Sequence, residues 1–259
     1  ASYLGWLLVN LAVAVLFPFL LAVERFGGPG GMRFLRRGFA AGFRFFFLRF
    51  FSLIRVYRVV ELPDAKRLRG ARPAMFVANH RSWLDPLLIY ALIPDVLIPV
   101  DMGYTRVFLA RSVMRWLGAV PFHRRDREMT HRGVMEIKKA LKEGRPVAAF
   151  PEGTRSPMGK LGSFSDIFFH VAVEQDVPVE PMLLHLNYPF LGPGSENFLT
   201  ARRADLTIQL LETVRPVRGD RGADLARHVR RKMAGPLARL DSGDGRGKKW
   251  RRSITGSKR

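Results

Sequence analysis

Two ionisable side chains, His80 and Asp85, are spaced so that they could form a proton-transfer pair. They lie in the segment Asn79–Pro86, directly after the apolar run Ala74–Ala78, which we predict to be a β-strand. Ser82 followed three residues later by Asp85 is typical of a capping box, so we expect a helix to begin at Ser82. A carboxylate in the first helical turn can hold one imidazole nitrogen as N–H and leave the other as a base.

Three further segments place turns at the ends of predicted strands. They are Phe150–Ser156, Gly118–Arg125 and Val177–Pro181. The first combines a Pro and Gly turn with the carboxylate of Glu152, the hydroxyl of Thr154 and the guanidinium of Arg155, a set that can bind a phosphate and a polyol together. The second ends a strand with two guanidinium groups, and the third opens a strand with an apolar edge stiffened by prolines.

The elements that must position these groups are short apolar runs alternating with amphipathic stretches. The predicted strands are Ala74–Ala78, Val96–Val100, Ala119–Phe122, Pro146–Phe150, Glu180–Leu186 and Asp205–Leu211. The predicted helices are Leu84–Ala91, Thr105–Leu117, Arg127–Lys142, Ser163–Glu174 and Ala223–Ala238. This alternation predicts an α/β layered fold with a largely parallel central sheet. Catalytic groups in such folds gather where strands pass into loops and helices.

The four segments, in this order and spacing, resemble the 1-acylglycerol-3-phosphate and lysophospholipid acyltransferase family over roughly residues 70–215. The resemblance implies a mixed sheet wrapped by helices and carried on an N-terminal helical membrane-anchoring hairpin. It implies that His80 is the general base and Asp85 its partner. By the same resemblance the glycerol and phosphate of the acceptor would be held by Arg124, Glu152, Gly153, Thr154 and Arg155. The acyl side would be lined by Val177, Pro178 and Pro181.

The reaction implied is transfer of a fatty acyl group from acyl-CoA or acyl-ACP to the free hydroxyl of a lysophospholipid. The favoured acceptor is 1-acylglycerol-3-phosphate, which would become phosphatidic acid. Many relatives have Lys-Lys-Gly where this chain has Ser165–Ile167, and an Asp or aliphatic residue where it has His123. An amino-acid-headed lysolipid or another lysophosphoglycerolipid is therefore the alternative acceptor. No cofactor is expected beyond the acyl thioester, and no metal, because the other His residues lack ligand spacing.

Charge and composition restrict the possible partners. The chain carries 43 Lys+Arg against 22 Asp+Glu, a net charge of +21, while 47% of its residues are hydrophobic. That is too apolar for a disordered basic protein, so we expect a folded chain with anionic partners. The absence of cysteine excludes a disulfide or a thiolate nucleophile. A non-catalytic polybasic protein that binds membranes or nucleic acid remains the non-enzyme alternative.

The N-terminal sixty residues have the pattern of a membrane anchor. Tyr3–Val23 is an uncharged run of 21 residues, long enough to span a bilayer as a helix. We predict a turn over the Gly-rich stretch Glu24–Gly31 and a second helix from Arg33. On an ideal helical wheel, six arginines form a narrow stripe opposite a broad aromatic face: Arg33, Arg36, Arg37, Arg44, Arg55 and Arg58. Such a helix is typical of the membrane interface, with guanidinium groups at anionic headgroups. A nucleic-acid surface would instead mix the two residue types on one face.

The predicted organisation is an anchor over residues 1–60, a catalytic domain over 61–240 and a basic tail over 241–259. The expected partners are the anionic leaflet of a membrane, the lysolipid acceptor and acyl-CoA or acyl carrier protein, with no nucleic acid. Positive flanks at both ends favour the cell membrane, with the catalytic domain on its cytoplasmic face.

Overall fold

The computed structural model describes residues 21–23, 25–53, 57–70, 73–101, 114–123, 125–157, 159–187, 204–217 and 219–243. Residues 3–20 of the uncharged segment, predicted to span or to dip into the bilayer, lie outside these ranges. Within them, no helix has both the length and the apolar composition that crossing a bilayer requires. The N-terminal helical run comprises the helical residues 21–23 and 25–26, a bend at Gly27, α1 (Gly28–Phe43), a π-helical segment (Arg44–Phe50) and one further turn, Phe51–Leu53.

The remaining elements alternate between strand and helix. The strands are β1 (Tyr57–Glu61), β2 (Met75–Ala78), β3 (Ile98–Asp101), β4 (Ala119–Phe122), β5 (Val147–Ala149), β6 (Val179–Leu186) and β7 (Ala204–Leu210). The helices are α2 (Ala65–Gly70), α3 (Asp85–Leu92), α4 (Arg127–Lys142), α5 (Ile167–Glu174) and α6 (Gly222–Asp241).

The strands form a mixed, largely parallel sheet. Its five-stranded part has the order β1-β7-β6-β2-β5, and β3 pairs with β4. Leu97, just before β3, makes a parallel bridge to Val147 of β5, which places the β3–β4 pair beside the β5 edge. Strands β6, β2, β5, β3 and β4 run in one direction, and β7 is antiparallel to β6. The carboxyl ends of β2, β5, β3 and β4 therefore lie along one edge of the sheet.

Helices cover both faces of this sheet, which explains why its central strands are apolar on both sides. In β2, Phe76 and Ala78 belong to one buried cluster, with residues of α3 and the π-helical segment. Met75 and Val77 belong to the other, with residues of α4, α5 and α6. The α/β fold class predicted from the sequence is confirmed.

All six predicted strands are present, with ends shifted by at most two residues. Helix α4 has the predicted bounds, and Asp126 caps it by accepting a hydrogen bond from the Met129 N–H at 3.0 Å. Helix α5 begins at Ile167 rather than Ser163, because the Ser165 N–H bonds to the Pro151 carbonyl at 2.9 Å. Two elements, β1 and α2, were not predicted. The predicted helix Thr105–Leu117 lies outside the described residues except for its last turn.

The predicted turn over Glu24–Gly31 is confirmed only as a short break: residues 25–26 are helical, Gly27 is a bend, and α1 already begins at Gly28. The sequence Gly28–Pro29 marks a helix start, because proline is favoured in the first helical turn, where its missing N–H has no partner to lose. The Gly-rich composition had suggested a loop.

The predicted arginine stripe does not face outward as one surface. Arg36 binds Asp95 at 3.0 Å, and Arg44 donates to the Ala91 carbonyl at 3.1 Å, so both contact the body of the domain. Arg58 is in β1, where it pairs with Asp205 at 2.9 Å. The ideal wheel failed because the π-helical segment changes the residue spacing per turn and the helical run ends at Leu53.

The predicted division at residue 60 falls inside β1, which pairs with β7. Phe47, Leu48 and Tyr57 are buried in the cluster that also contains residues of α3. At the other end, Asp241 is the last residue of α6 and not part of a separate tail. Parts of the helical run, the strand β1 and Asp241 are thus packed into the α/β domain.

Candidate active site

His80 and Asp85 meet directly after β2, as their spacing predicted. The His80 Nδ1 lies 2.9 Å from the Asp85 Oδ2, and the Asp85 side chain is 4% exposed. The same oxygen accepts the backbone N–H of Arg81 at 2.6 Å and of Ser82 at 2.7 Å. Because this oxygen accepts two backbone N–H groups, it is an acceptor toward the imidazole as well, so the His80 Nδ1 carries the proton and donates it.

The helix that carries Asp85 starts later than the capping-box pattern predicted. Helix α3 begins at Asp85 and not at Ser82. Asp85 makes the expected bond back to the Ser82 N–H, but the Ser82 hydroxyl accepts from Leu84 N–H at 3.1 Å instead of from Asp85. Residues 80–84 therefore form a turn wrapped around the Asp85 carboxylate, which fixes the position of the His80 ring.

The His80 ring lies against an aromatic neighbour at the end of β5. It stacks on Phe150 with ring centroids 4.4 Å apart and an interplanar angle of 28°. The side chain is 19% exposed, and its Nε2 makes no hydrogen bond to any residue in the described ranges. The geometry thus leaves Nε2 as the nitrogen that can exchange a proton with a bound molecule.

Glu152 faces inward. It is 6% exposed, and its Oε1 accepts the His80 N–H at 2.8 Å. Its Oε2 accepts the Gly162 N–H at 2.7 Å and the Ser156 hydroxyl. A side chain at Gly162 would collide with this carboxylate, because a Cβ there would lie 2.9 Å from the Glu152 Oε2. Glu152 was predicted to hold the acceptor, whereas its contacts connect it to the backbone of His80.

The rest of the loop after β5 presents small and cationic groups. Gly153 has a φ of +67°, a conformation that a side chain would strain, and Thr154 next to it is exposed. The Arg155 guanidinium lies over the Trp83 ring, 4.4 Å from its centroid. Ser156 N–H bonds to the His80 carbonyl at 2.8 Å, so this loop is attached to the His80 turn. The structure therefore brings His80, Asp85 and residues 152–155 together.

The second predicted segment lies along the same edge of the sheet. Arg124 is outside the described residues. Its neighbour His123 follows β4 and lies 3.2 Å from Asp101, the last residue of β3. Since β3 and β4 end at the same edge as β2, this segment is on the side of the sheet that carries His80.

The third predicted segment is not near His80. Ala78 pairs with Met182 in parallel register, so His80 is level with Leu184 of β6. Val177 and Pro178 lie at the opposite end of β6, roughly 20 Å away along the strand. Val177 is buried among residues of α5 and α6, and Pro181 is level with Val77 inside the sheet. The positions of Val177, Pro178 and Pro181 therefore give no support to the prediction that they line the acyl side of a site at His80 and Asp85.

Two contacts of the turn were not anticipated. Asn79 uses its amide to bond both the N–H and the carbonyl of Leu184, each at 2.9 Å. Arg81 forms a two-pronged ion pair with Asp241, at 2.6 and 2.8 Å. No sequence signal pointed to Asp241, because it is distant along the chain and adjoins a basic stretch. Among the described residues, no group of three His, Cys, Asp or Glu side chains has a geometry that could hold a metal.

Burial opposes a charge on Asp241, but the hydrogen bonds and positive charge of Arg81 outweigh it. The charge of His185 and the hydrogen bond from the Gly159 N–H also favour the carboxylate. Together with Arg81, they hold the pKa of Asp241 below its usual value. Asp241 is therefore a carboxylate at neutral pH.

Comparison with known proteins finds similar sequences in one family. A family model described as Acyltransferase matches residues 58–185. The human 1-acyl-sn-glycerol-3-phosphate acyltransferase beta is 29% identical over 190 residues, covering 72% of this chain and 63% of that protein. The chloroplastic 1-acyl-sn-glycerol-3-phosphate acyltransferase LPAT1 of Arabidopsis thaliana is 31% identical over 162 residues, 62% of this chain and 44% of that protein. The chain thus spans less than two thirds of the length of these relatives.

A solved structure has the same architecture. The crystal structure of the 1-acyl-sn-glycerophosphate (LPA) acyltransferase PlsC from Thermotoga maritima superimposes with a TM-score of 0.66 at 24% sequence identity. The match covers 91% of this chain and 97% of that one. The two chains share a fold.

Proposed function

The chain belongs to the acyltransferase family, and on that premise we propose that it moves a fatty acyl group from a thioester to the free hydroxyl of a lysophospholipid. The donor is acyl-CoA or acyl-ACP, and no other cofactor is needed. The favoured acceptor is 1-acylglycerol-3-phosphate, the substrate in the names of the curated relatives, with phosphatidic acid as product. The observation that carries the proposal is the His80–Asp85 pair, with Asp85 held by three donors.

His80 acts as the general base. The acceptor hydroxyl must lose its proton as it attacks the thioester carbonyl, and a neutral imidazole can take that proton near neutral pH. Asp85 keeps the proton of the neutral ring on Nδ1, which leaves Nε2 as the acceptor. When Nε2 takes the substrate proton, the buried carboxylate stabilises the resulting imidazolium. The thiolate of CoA or ACP then leaves as the tetrahedral intermediate collapses, and it takes the proton from Nε2, which returns His80 to its neutral form.

Backbone N–H groups after β5 are the better candidates for stabilising the oxyanion. In the turn after β2, the N–H groups of His80, Arg81 and Ser82 already donate to Glu152 or Asp85. The loop after β5 borders the His80 ring through Phe150. Its Gly153 N–H donates to the Phe150 carbonyl at 3.0 Å, whereas the Thr154 N–H has no acceptor within the described ranges. We therefore assign the oxyanion to this loop, where fixed donors lower the barrier most effectively.

The acceptor phosphate binds guanidinium groups from two loops. Arg155 is held over Trp83, and this contact fixes the orientation of its planar fork. Arg124 would supply the second guanidinium from the loop after β4. Thr154 and Gly153 would meet the glycerol. Glu152 serves this reaction by holding the backbone of His80.

The domain works at a membrane surface, because its acceptor has an acyl chain that is costly to transfer into water. Large apolar side chains protrude from the N-terminal helical run: Phe26, Phe34, Phe45 and Leu53 are 65–83% exposed. With the uncharged residues 3–20, they support an anchor that inserts into the anionic leaflet, on the cytoplasmic face of the cell membrane. The polar thioester donor would arrive from solution.

A membrane test should change side chains rather than delete residues 1–60, because Phe47 and Tyr57 belong to the core. Replacing Phe34 and Phe45 by Ser should reduce binding to anionic vesicles at least about tenfold, since burying one such side chain contributes about 1.5–3 kcal/mol. The control is Val217→Ser, an exposed apolar residue outside the helical run. Wild-type vesicle binding by the double Ser variant would contradict the membrane assignment.

A catalytic test compares His80→Ala and Asp85→Asn in an assay of thiol release that requires a lysophospholipid. We expect His80→Ala to reduce the rate by about 10²–10⁴ and Asp85→Asn by less, with both proteins folded. His228→Ala, an exposed histidine on α6, is the control. A wild-type rate in the His80→Ala protein would remove His80 from the mechanism.

One feature favours testing a second acceptor. Where the family resemblance implies basic residues, this chain places Ser165 and Asp166 directly before α5, and the Ser165 N–H bonds to the carbonyl of Pro151 in the loop of Glu152. A panel of lysophosphatidic acid, other lysophosphoglycerolipids and an amino-acid-headed lysolipid decides the question. If kcat/KM is higher for a phosphate-free acceptor, the proposed product is the acylated form of that lipid and not phosphatidic acid.

A further inference from the structure

The last residue of the last described helix contacts the turn that carries the proposed base. Asp241 ends α6, and its two oxygens bind the guanidinium of Arg81 at 2.6 and 2.8 Å. Both side chains are largely buried, 9% exposed for Arg81 and 13% for Asp241. A two-pronged, buried arginine–carboxylate pair has a defined geometry, unlike a single exposed ion pair.

Arg81 is held at both its ends. Its guanidinium is fixed by Asp241, and its backbone N–H donates to Asp85 at 2.6 Å. It stands between His80 and Ser82 in the chain, inside the turn that wraps around the Asp85 carboxylate. A shift of Arg81 would therefore move the donors to Asp85 and, with them, the His80 ring.

Asp241 also contacts the two segments on either side of that turn. Its Oδ2 accepts the N–H of Gly159, in the long loop after β5, at 3.2 Å. Its Oδ1 lies 3.3 Å from the Nε2 of His185, a fully buried residue of β6. One carboxylate thus joins the turn after β2, the loop after β5 and the strand β6.

We propose that Asp241 is a positioning residue for acyl transfer: by holding Arg81, it fixes the turn in which His80 and Asp85 are hydrogen-bonded. This rests on the proposed function, and it assigns a role to a residue beyond the 58–185 segment that the family model matches. Asp241 itself does not touch the reacting atoms.

The test uses the full chain in detergent or nanodiscs, with kinetics and NMR of nitrogen-labelled histidine on the same samples. Asp241→Asn keeps the shape of the side chain and removes its charge. We expect kcat to fall about 10- to 100-fold, because a displacement of about 1 Å at a catalytic group costs up to about 10². The KM values for donor and acceptor should stay within about threefold.

The NMR signature is the Nδ1–H signal of His80, identified by its loss in the His80→Ala protein. In Asp241→Asn we expect this signal to weaken or disappear, as the bond to Asp85 loosens. Asp241→Glu should recover part of both the signal and kcat. The matched control is Asp224→Asn on the same helix, whose ion pair with Arg227 is exposed, and it should change neither measurement.

Two results would overturn the proposal. One is wild-type kcat in Asp241→Asn, and the other is a loss of kcat with an unchanged His80 signal. If Asp241→Asn does not fold, Arg81→Lys is tested instead, because it keeps the positive charge but loses the two-pronged contact with Asp241. An unchanged His80 signal together with an unchanged kcat in Arg81→Lys would also overturn the proposal. A wild-type rate in His80→Ala would overturn the proposed mechanism, whereas the NMR comparison would still test the positioning by Asp241.

Discussion

Replacing Glu152 by Gln should slow acyl transfer without weakening acceptor binding. The Oε1 of Glu152 accepts the His80 N–H, and its Oε2 accepts the Gly162 N–H and the Ser156 hydroxyl. A glutamine has one oxygen and one NH₂ group. In either orientation of the amide, the NH₂ group faces a backbone N–H that cannot accept a hydrogen bond.

The size of the expected effect follows from the hydrogen bond that the substitution removes. A hydrogen bond to a charged group contributes about 1.5–3 kcal/mol, and a buried N–H without a partner costs about 1–3 kcal/mol. We therefore expect the free energy of unfolding of Glu152→Gln to fall by about 2–4 kcal/mol. If the His80 N–H is the group that loses its partner, a loss of about 1.4–2.8 kcal/mol in the transition state lowers kcat 10- to 100-fold.

The assay measures thiol release from the acyl thioester while lysophosphatidic acid is varied in mixed micelles. Urea denaturation of the same samples gives the free energy of unfolding. We expect the acceptor KM to change less than about threefold, because Glu152 contacts protein donors and not the acceptor. Glu212→Gln, whose ion pair with Lys232 lies on the surface, is the control and should leave kcat and stability unchanged. An acceptor KM raised tenfold or more at unchanged kcat would refute this reasoning and return Glu152 to the acceptor site.

Other consequences of the structure can be tested by single substitutions. Arg155→Ala should raise the acceptor KM about 10- to 100-fold and leave the donor KM nearly unchanged, since a guanidinium–phosphate contact binds the ground state; an equal rise for both substrates in steady-state kinetics would contradict the assignment. Trp83→Leu should raise the acceptor KM by a smaller factor, about three- to tenfold, because it removes the ring that orients Arg155; an unchanged acceptor KM would exclude that role. Tyr57→Phe should lower the free energy of unfolding by about 0.5–1.5 kcal/mol in urea, because the buried hydroxyl donates to the carbonyl of Phe47; no change would mean that this bond does not stabilise the fold. The pKa of Asp241 is lowered in the folded protein, so its contribution to stability is present above the unfolded pKa of about 3.9 and is lost as the pH falls through the folded pKa. The stability difference between wild type and Asp241→Asn should therefore shrink as the pH falls from about 5 to 2, and a difference independent of pH over that range would contradict this.

The local parts of the site could be predicted from the sequence because they depend on neighbours in the chain. His80 and Asp85 are five residues apart, and a turn at the end of a strand is enough to bring them within 2.9 Å. The strands were predictable for a similar reason. A sheet covered on both faces needs short, continuous apolar runs, and β2 is buried at all four positions.

Helix phase over a long segment was less predictable. The arginine stripe assumed one uninterrupted α-helix through Arg58, and a π-helical segment of seven residues changed that phase. The strand β1 was missed because its residues continue the same mixture of Arg and apolar side chains. Only pairing with β7, almost 150 residues later, makes Tyr57–Glu61 a strand.

The sequence by itself determined the fold class and the meeting of His80 with Asp85 in one turn, since both follow from local spacing and hydrophobic pattern. The role of His80 as the base comes from the family resemblance and stays a prediction. Tertiary structure alone decided that Glu152 turns inward to His80, that Val177 lies at the far end of β6, and that Asp241 reaches Arg81. The physical reason is that a carboxylate or a guanidinium takes its role from the donors and acceptors around it. For these residues the partners come from segments that are distant along the chain and meet only when the sheet and α6 are assembled.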